Sequence, residues 1–332
     1  MPALTGVQLV EAILDAVEQS GWSGLLISGV ERQPRKFVLS SEGVSLVLWA
    51  YVWTLTFGGR PSLENEYRIQ MTSVKSPLSA NPDGPTVLVG YEPNLKMFGG
   101  FDVRLHRSFT AGSPSVQIDI RALQRALQNG LAFHRKGNNE IAVAARPDQF
   151  VAYACNAEDL HIYGKESKVF DLLDRASALE RIATSEISGL TEKRKKVVET
   201  ITRFSRSGNF REQVLNAYGH RCAVTRAQLR LVEASHILPV SAPGSIDHVT
   251  NGVALSPTYH RAFDRGLIYL DDTLNMKLNR SKAGSLATLG LEGGLEAFAR
   301  SLGKIHLPSD RHQWPSPRFI AGANKFRRIG TQ

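Results

Sequence analysis

The stretch EASHILPVSAPGSIDHVTNGVALSPTYHRAFDRG, residues 233–266, narrows the local fold more than any other part of the chain. Ser256 before Pro257 is a helix start, because serine can cap open amides and proline's fixed φ suits the first turn; Gly266 is the matching stop. His260 and Asp264, four apart, then share one face of a short helix. Upstream, RCAVT at 221–225 and VEASHILPV at 232–240 read as two short strands separated by RAQLRL, with His236 at the end of the second. Asn251 and Gly252 begin a turn ahead of the helix. A hairpin with one histidine, followed by a helix with a second histidine and a carboxylate, makes a compact pocket able to hold one divalent ion.

Phosphodiester hydrolysis calls for these side chains. It needs a base to deprotonate water, a cation to neutralise the pentavalent transition state and the leaving oxygen, and a group that orients the base. His236 is the candidate base, since an imidazole can be neutral near pH 7. His260 and Asp264 offer a nitrogen and an oxygen suited to Mg, Mn, Zn or Ni ions. The Asn251 amide either holds the imidazole ring or gives an oxygen to the metal. Taken singly, a histidine is more often a filler, Asn-Gly only a turn, and H-x-x-x-D a chance pairing. Their order, at intervals of 15, 9 and 4, is what carries the assignment.

The whole chain of 332 residues is long for one core, so two domains are expected. Its net charge of +9 is unevenly spread: 15 basic and 15 acidic residues up to 165, 7 and 7 from 166 to 200, then 18 and 9 from 201 to 332. A basic final third points to a polyanion, usually the phosphate backbone, against the alternative of a merely soluble basic surface. No apolar run reaches the ~20 residues of a membrane helix. The amino terminus carries an acid-bearing helical pattern in place of a signal peptide, and Cys155 and Cys222 stand apart with no CxxC. A cytoplasmic protein with neither membrane segment nor disulfide scaffold is expected.

The predicted fold class is α+β. Residues 5–20 predict a helix with Thr5 and Gln8 at capping-box spacing and Gly21 as its stop. GLLISGV, SLVLWAYVWTLTF, EYRIQMTS, TVLVGYE and FGGFDVRLH predict strands; SPSVQIDIRALQRALQNG predicts a helix ending at Gly130, NEIAVAA a strand and RPDQFVAYACNAEDL a helix. A mixed α/β domain over 1–165 would be followed by a helical connector over 166–200, which includes the basic run EKRKK. A domain over 201–290 would hold the opening motif, and an extension over 291–332 would pack on it or lean on the substrate backbone.

From Arg221 to Leu270, the elements SHILP, NG and HRAFD resemble the HNH, or ββα-metal, nuclease family in its bacterial branch. The resemblance implies His236 as general base, Asn251 as the middle asparagine, His260 and Asp264 as helix-borne ligands of one divalent ion, and products with 5′ phosphate and 3′ hydroxyl ends. Many members place Asp or His just before the base where this chain has Ser235, so Asn251, Ser235 or waters would complete the ligand set. Asp247 and His248 are weaker candidates expected to face solvent or phosphate, and Cys222, at a position some relatives use for zinc, is expected to be a buried thiol.

In the front half, FDVRLHRSF concentrates Arg104, His106 and Arg107, either as a surface salt-bridge group or as a binding cluster. With NEYRIQM, VLVGYEPNLKMFGG, SPSVQI and AARPDQF, it resembles the sulfur-binding domain joined to HNH modules in phosphorothioate-dependent, McrA-type restriction endonucleases. That resemblance implies a cation beside a small apolar cavity, where sulfur replaces a nonbridging phosphate oxygen. His106 and Arg107 would hold the charge and Pro147 would form part of the wall; Arg146 stands where some relatives have Tyr. A neighbouring groove would be lined by Tyr67, Arg68 and Gln70, Gln70 reading a base edge and Arg68 a phosphate or guanine.

These expectations combine into a modification-dependent restriction endonuclease for phage defence, acting on double-stranded, phosphorothioate-modified DNA. One HNH centre cuts one strand, so a double-strand break would need a homodimer or two binding events. Two alternatives stand beside it: an HNH endonuclease reading methylated cytosine or plain sequence, and a DNA-binding protein whose HNH fold is inactive.

Overall fold

A computed structural model describes residues 3–329 except 42, 61, 111 and 113. The chain divides into two compact units, Met1–Gly208 and Asn209–Gln332.

The first unit opens with α1 (Gly6–Gln19), whose capping box is formed by Thr5 and Gln8. There follow β1 (Ser23–Leu26), β2 (Arg35–Ser41), β3 (Val44–Thr54), β4 (Thr56–Phe57), β5 (Glu66–Gln70), β6 (Thr86–Glu92), β7 (Met97–Phe101) and β8 (Ser115–Asp119). Next come α2 (Ile120–Asn129), β9 (Leu131–Arg135), β10 (Ile141–Ala145), α3 (Phe150–Tyr163), α4 (Ser167–Ser177), α5 (Thr184–Ser188) and α6 (Glu192–Ala217), whose residues after Gly208 belong to the second unit. Seven strands form one sheet in the order β1-β2-β3-β6-β7-β10-β9. The β3–β6 pair is parallel and its neighbours are antiparallel.

The second half of β3 and strands β6, β7 and β10 are buried on both faces, which is why they read as continuous apolar runs. Along β3, Leu48, Ala50 and Val52 enter a core with α1 and α3, while Tyr51 and Trp53 enter a second core with α2. The second core is completed by Ile69, Val116 and Ile118, from the three-stranded sheet β4-β5-β8. Gly100 lets the layers meet: a Cβ there would lie 2.1 Å from the Tyr153 ring.

Three sequence expectations change here. SPSVQIDIRALQRALQNG is a strand followed by a helix, because Val116 and Ile118 alternate into the core and Asp119 accepts from Arg121 N at 2.8 Å to start α2. LAFHR, unassigned from sequence, is β9 and pairs β10. FGGFDVRLH remains a strand only to Phe101, because the Asp102 carboxylate accepts from Arg104 N at 3.0 Å and turns the chain.

The second unit holds β11 (Glu233–His236), β12 (Gly252–Leu255), α7 (Pro257–Asp264), β13 (Ile268–Leu270), β14 (Asn275–Leu278), α8 (Arg280–Thr288), α9 (Leu295–Ala299), β15 (Gly303–Lys304) and α10 (Pro317–Phe326). Its core gathers Phe210 and Val214 from the end of α6, Val253 and Leu255 from β12, Phe263 from α7, and Phe319, Ile320 and Ala323 from α10.

Here too the strand pairing differs from expectation. β11 pairs antiparallel with β12, His236 opposite Gly252, so the hairpin loop is 237–251. RCAVT is a turn, closed by Cys222 N on Ala227 O and Arg226 N on Cys222 O, both at 2.9 Å. Gly252 is required at its place: a Cβ would meet the Val214 side chain at 2.2 Å. Among the described residues no helix is long and apolar enough to cross a membrane.

Candidate active site

In the second unit, β11 ends on His236 and α7 carries His260 and Asp264. The helix begins after Ser256, whose backbone holds the N-cap conformation while its side chain makes no capping bond, and stops before Gly266 at φ +69°. Strand and helix are tied together by Glu233 of β11, whose Oε2 lies 2.5 Å from His260 Nδ1. The other ring nitrogen, Nε2, is 3.3 Å from Asp264 Oδ2.

His236 is held from two sides. Its ring stacks on Phe210 with centroids 3.8 Å apart and planes 12° from parallel, and its Nε2 is 2.9 Å from Asp247 Oδ1. A carboxylate only accepts, so Nε2 carries the hydrogen and the Nδ1 lone pair is left as the basic site. Asp247, expected to face solvent or phosphate, instead orients the ring.

Asn251 does not serve as the ring's partner. Fully buried, it accepts from Leu238 N at 2.9 Å and directs its amide at Leu238 O, Ser245 Oγ and Ile246 O, 3.0–3.2 Å away. It staples the loop that follows His236. Ser235 is likewise fully buried, away from any ligand role. Asn251→Ala would leave the Leu238 amide unpaired inside the protein, while Ser245 Oγ still bonds the Leu238 carbonyl at 2.9 Å, a loss of about 2 kcal/mol. The expected outcome is a lower urea midpoint with unchanged slope; a midpoint equal to wild type would remove this staple from the account.

Charges around His260 act in opposing directions. Burial disfavours its protonated ring, but the Glu233 hydrogen bond and the Asp264 and Glu233 charges outweigh it, so the pKa is raised above 6.5. The same hydrogen bond holds Glu233 below the usual carboxylate range. Among the described residues no group of three or more His, Cys, Asp and Glu is placed to hold a metal ion. The donor set nevertheless suits one open divalent site. A carboxylate on Nδ1 is the outer partner that fixes a ligating histidine's tautomer, and Nε2 beside a carboxylate oxygen gives two donors, leaving positions for water and phosphate. Cys222 is a buried free thiol.

The front-unit candidates separate into two places. Arg104 is bidentate on Asp102, with bonds of 2.9 and 2.6 Å, and Arg107 Nε bonds the Leu78 carbonyl at 2.8 Å. His106 Nε2 sits 2.7 Å from Glu140, which also pairs with Lys136 at 3.0 Å. Burial works to raise the Glu140 carboxyl, but the His106 hydrogen bond and the Lys136 charge outweigh it and hold it down to about 2. Pro147 begins a 3₁₀ turn beyond the far end of β10, where its carbonyl accepts from Ser20 Oγ. Glu140 precedes β10 and Pro147 follows it, which sets His106 and Pro147 about 20 Å apart at ~3.3 Å per strand residue. The cavity expected from His106, Arg107 and Pro147 is therefore not assembled, because the strand between them runs its full length.

Arg68 and Gln70 do come together. On β5 they flank Ile69, which is fully buried, so both lie on the sheet's outer face, with Gln117 opposite Arg68 and Ser115 opposite Gln70. Tyr67, next to them in sequence, packs edge-on against Phe57.

Comparison with known proteins divides the same way. Residues 47–154 match a family described as Methylase-associated X1, and residues 222–271 match the HNH endonuclease family. No curated protein matches the chain. A solved structure titled "Modification dependent TagI restriction endonuclease" aligns with a TM-score of 0.29 and 13% identity, over 83% of this chain and 80% of that one. At that score the likeness is too slight to weigh on fold or function.

Proposed function

We propose that this chain, a metal-dependent nuclease by virtue of the HNH endonuclease domain at 222–271, restricts modified double-stranded DNA, its front unit reading the mark and its second unit cutting. The observation that carries the nuclease half is the Glu233–His260 contact, which lays the strand ending in His236 against the helix bearing His260 and Asp264.

In this mechanism His236 Nδ1 takes the proton of the attacking water. Asp247 keeps the hydrogen on Nε2 and stabilises the imidazolium that forms, while the Phe210 ring prevents rotation. His260 Nε2 and Asp264 would hold a divalent ion, whose chemistry would be charge neutralisation at the scissile phosphate and leaving oxygen. Glu233 presents Nε2 by holding Nδ1. Mg, Mn, Ni and Zn ions all suit such donors. With one centre per chain, a double-strand break requires a homodimer or two binding events.

For the mark, the outer face with Arg68, Gln70 and Gln117 favours one carried on a base, since amides and guanidinium read base edges. Methylated cytosine is the leading candidate. A phosphorothioate is the second reading, favoured by the Arg104, His106 and Arg107 cluster but not by the position of Pro147. Mobility shifts on matched duplexes decide between them. A methylated duplex bound about tenfold more tightly than the plain one, worth ~1.4 kcal/mol, is the expected result. Tighter binding of the phosphorothioate duplex would overturn the base mark, and equal binding of all three would end modification dependence.

A further inference from the structure

Arg327 caps the carboxyl end of α10 and joins the two halves of the nuclease centre. Its Nη1 bonds the carbonyl of Ile237, the residue immediately after His236, at 2.9 Å. Its Cζ lies 4.5 Å from the ring centroid of Phe263, the residue immediately before Asp264. Among the described residues, Nε and Nη2 have no hydrogen-bond partner, although both atoms are buried. Burial pushes the guanidinium's pKa down and the Asp264 charge pushes it back up, although no ion pair joins the two among the described residues.

The two unmet donors are informative because of which ones they are. Nε–H and Nη2–H form one edge of the guanidinium, the fork that takes a carboxylate or phosphate through two parallel bonds. A fork shielded from solvent is poorly placed for a DNA backbone, whereas Asp264 follows the very ring on which the guanidinium rests. We propose that Arg327 is a positioning residue of the nuclease: Nη1 sets the peptide after His236, and the open Nε/Nη2 edge takes the Asp264 carboxylate and turns it toward His260 Nε2. The extension at the end of the chain is on this view part of the cutting machinery. This inference rests on His236 as base and Asp264 as ligand.

The test uses the full chain and compares wild type, His236→Ala, Arg327→Lys and Arg327→Ala. Plasmid nicking with Mn²⁺ gives kcat and KM, calorimetry gives Mn²⁺ affinity, and a metal-free thermal midpoint checks the fold. Lysine can keep one bond to Ile237 but has no fork. Arg327→Lys is therefore expected to keep the midpoint and KM, and to lose kcat and Mn²⁺ affinity by about 10- to 100-fold. Added guanidinium ion, at millimolar concentration, should restore part of the rate to Arg327→Ala and none to His236→Ala. A kcat and Mn²⁺ affinity within twofold of wild type for Arg327→Lys, with His236→Ala inactive, would overturn the proposal while leaving the base in place. A raised KM at unchanged kcat would also overturn it, by making Arg327 a DNA contact. Wild-type nicking by His236→Ala would remove the base assignment and this inference with it.

Discussion

His236→Ala is expected to bind DNA as wild type does and to nick it roughly a thousandfold more slowly, within the range that a positioned general base contributes. The expectation follows from how completely the ring is fixed. Phe210 stacks on its face at 3.8 Å and Asp247 holds Nε2 at 2.9 Å, which leaves a single nitrogen with a lone pair. The companion variant Asp247→Asn keeps the shape but can donate its amide to Nε2, stabilising the tautomer with the hydrogen on Nδ1, where it blocks the base. A loss of about a hundredfold in kcat with unchanged DNA affinity is expected for it. Single-turnover nicking alongside mobility shifts measures both quantities. If Asp247→Asn cut as fast as wild type, Asp247 would be a surface partner with no part in setting the His236 tautomer. If His236→Ala cut normally, the base would have to be sought elsewhere.

The second large effect concerns His260. A protonated ring cannot ligate a metal, so affinity for Mn²⁺ should rise with pH through the pKa of His260, which its surroundings raise above 6.5. Removing the ring in His260→Ala should weaken Mn²⁺ binding by at least about 100-fold at pH 8. Glu233→Gln removes the hydrogen bond and charge that favour the protonated ring, and so should move the acid limb of metal binding to lower pH. Calorimetric titration from pH 5.5 to 8.5 reads both, free of the second histidine's contribution to rate. An acid limb unmoved in Glu233→Gln would mean that Glu233 does not govern His260.

Without metal the pH dependence of stability has the opposite sign for the two partners. The raised pKa of His260 contributes stability that is fully present below its unfolded value and is lost as pH rises through the folded one. The lowered pKa of Glu233 contributes stability present above its unfolded value and lost as pH falls through the folded one. The pair therefore supports the apo fold most between those limits, on the acid side of neutrality. Metal binding supports it on the alkaline side.

Local chemistry made α1, α3 and α7 legible in the amino-acid order, because caps, stops and apolar spacing act within a few residues. Thr5 with Gln8, Pro257 and Gly266 all stand where they were expected. The His260–Asp264 contact belongs to the same class, one helical turn apart. Strands were legible as apolar runs but not by partner: β11 pairs with GVAL and not RCAVT, and LAFHR became β9 because a sheet covered on both faces has no alternation to read.

The site's second layer was beyond such reasoning. Glu233 carries no local signal for its partner, and only the packing of α7 against β11 brings it to His260. Phe210 and Arg327 arrive from helices far along the chain and carry no local signal. The same limit explains the front half, where an extended β10 keeps His106 and Pro147 apart. The sequence by itself determined the helix bearing His260 and Asp264, the candidate base, and where the charge lies, since these are set by neighbours along the chain. Which carboxylate orients each histidine, and what Asn251 and Arg327 hold, was decided only by tertiary structure, because a hydrogen bond depends on distance in space and these partners are brought together by burial of a shared core.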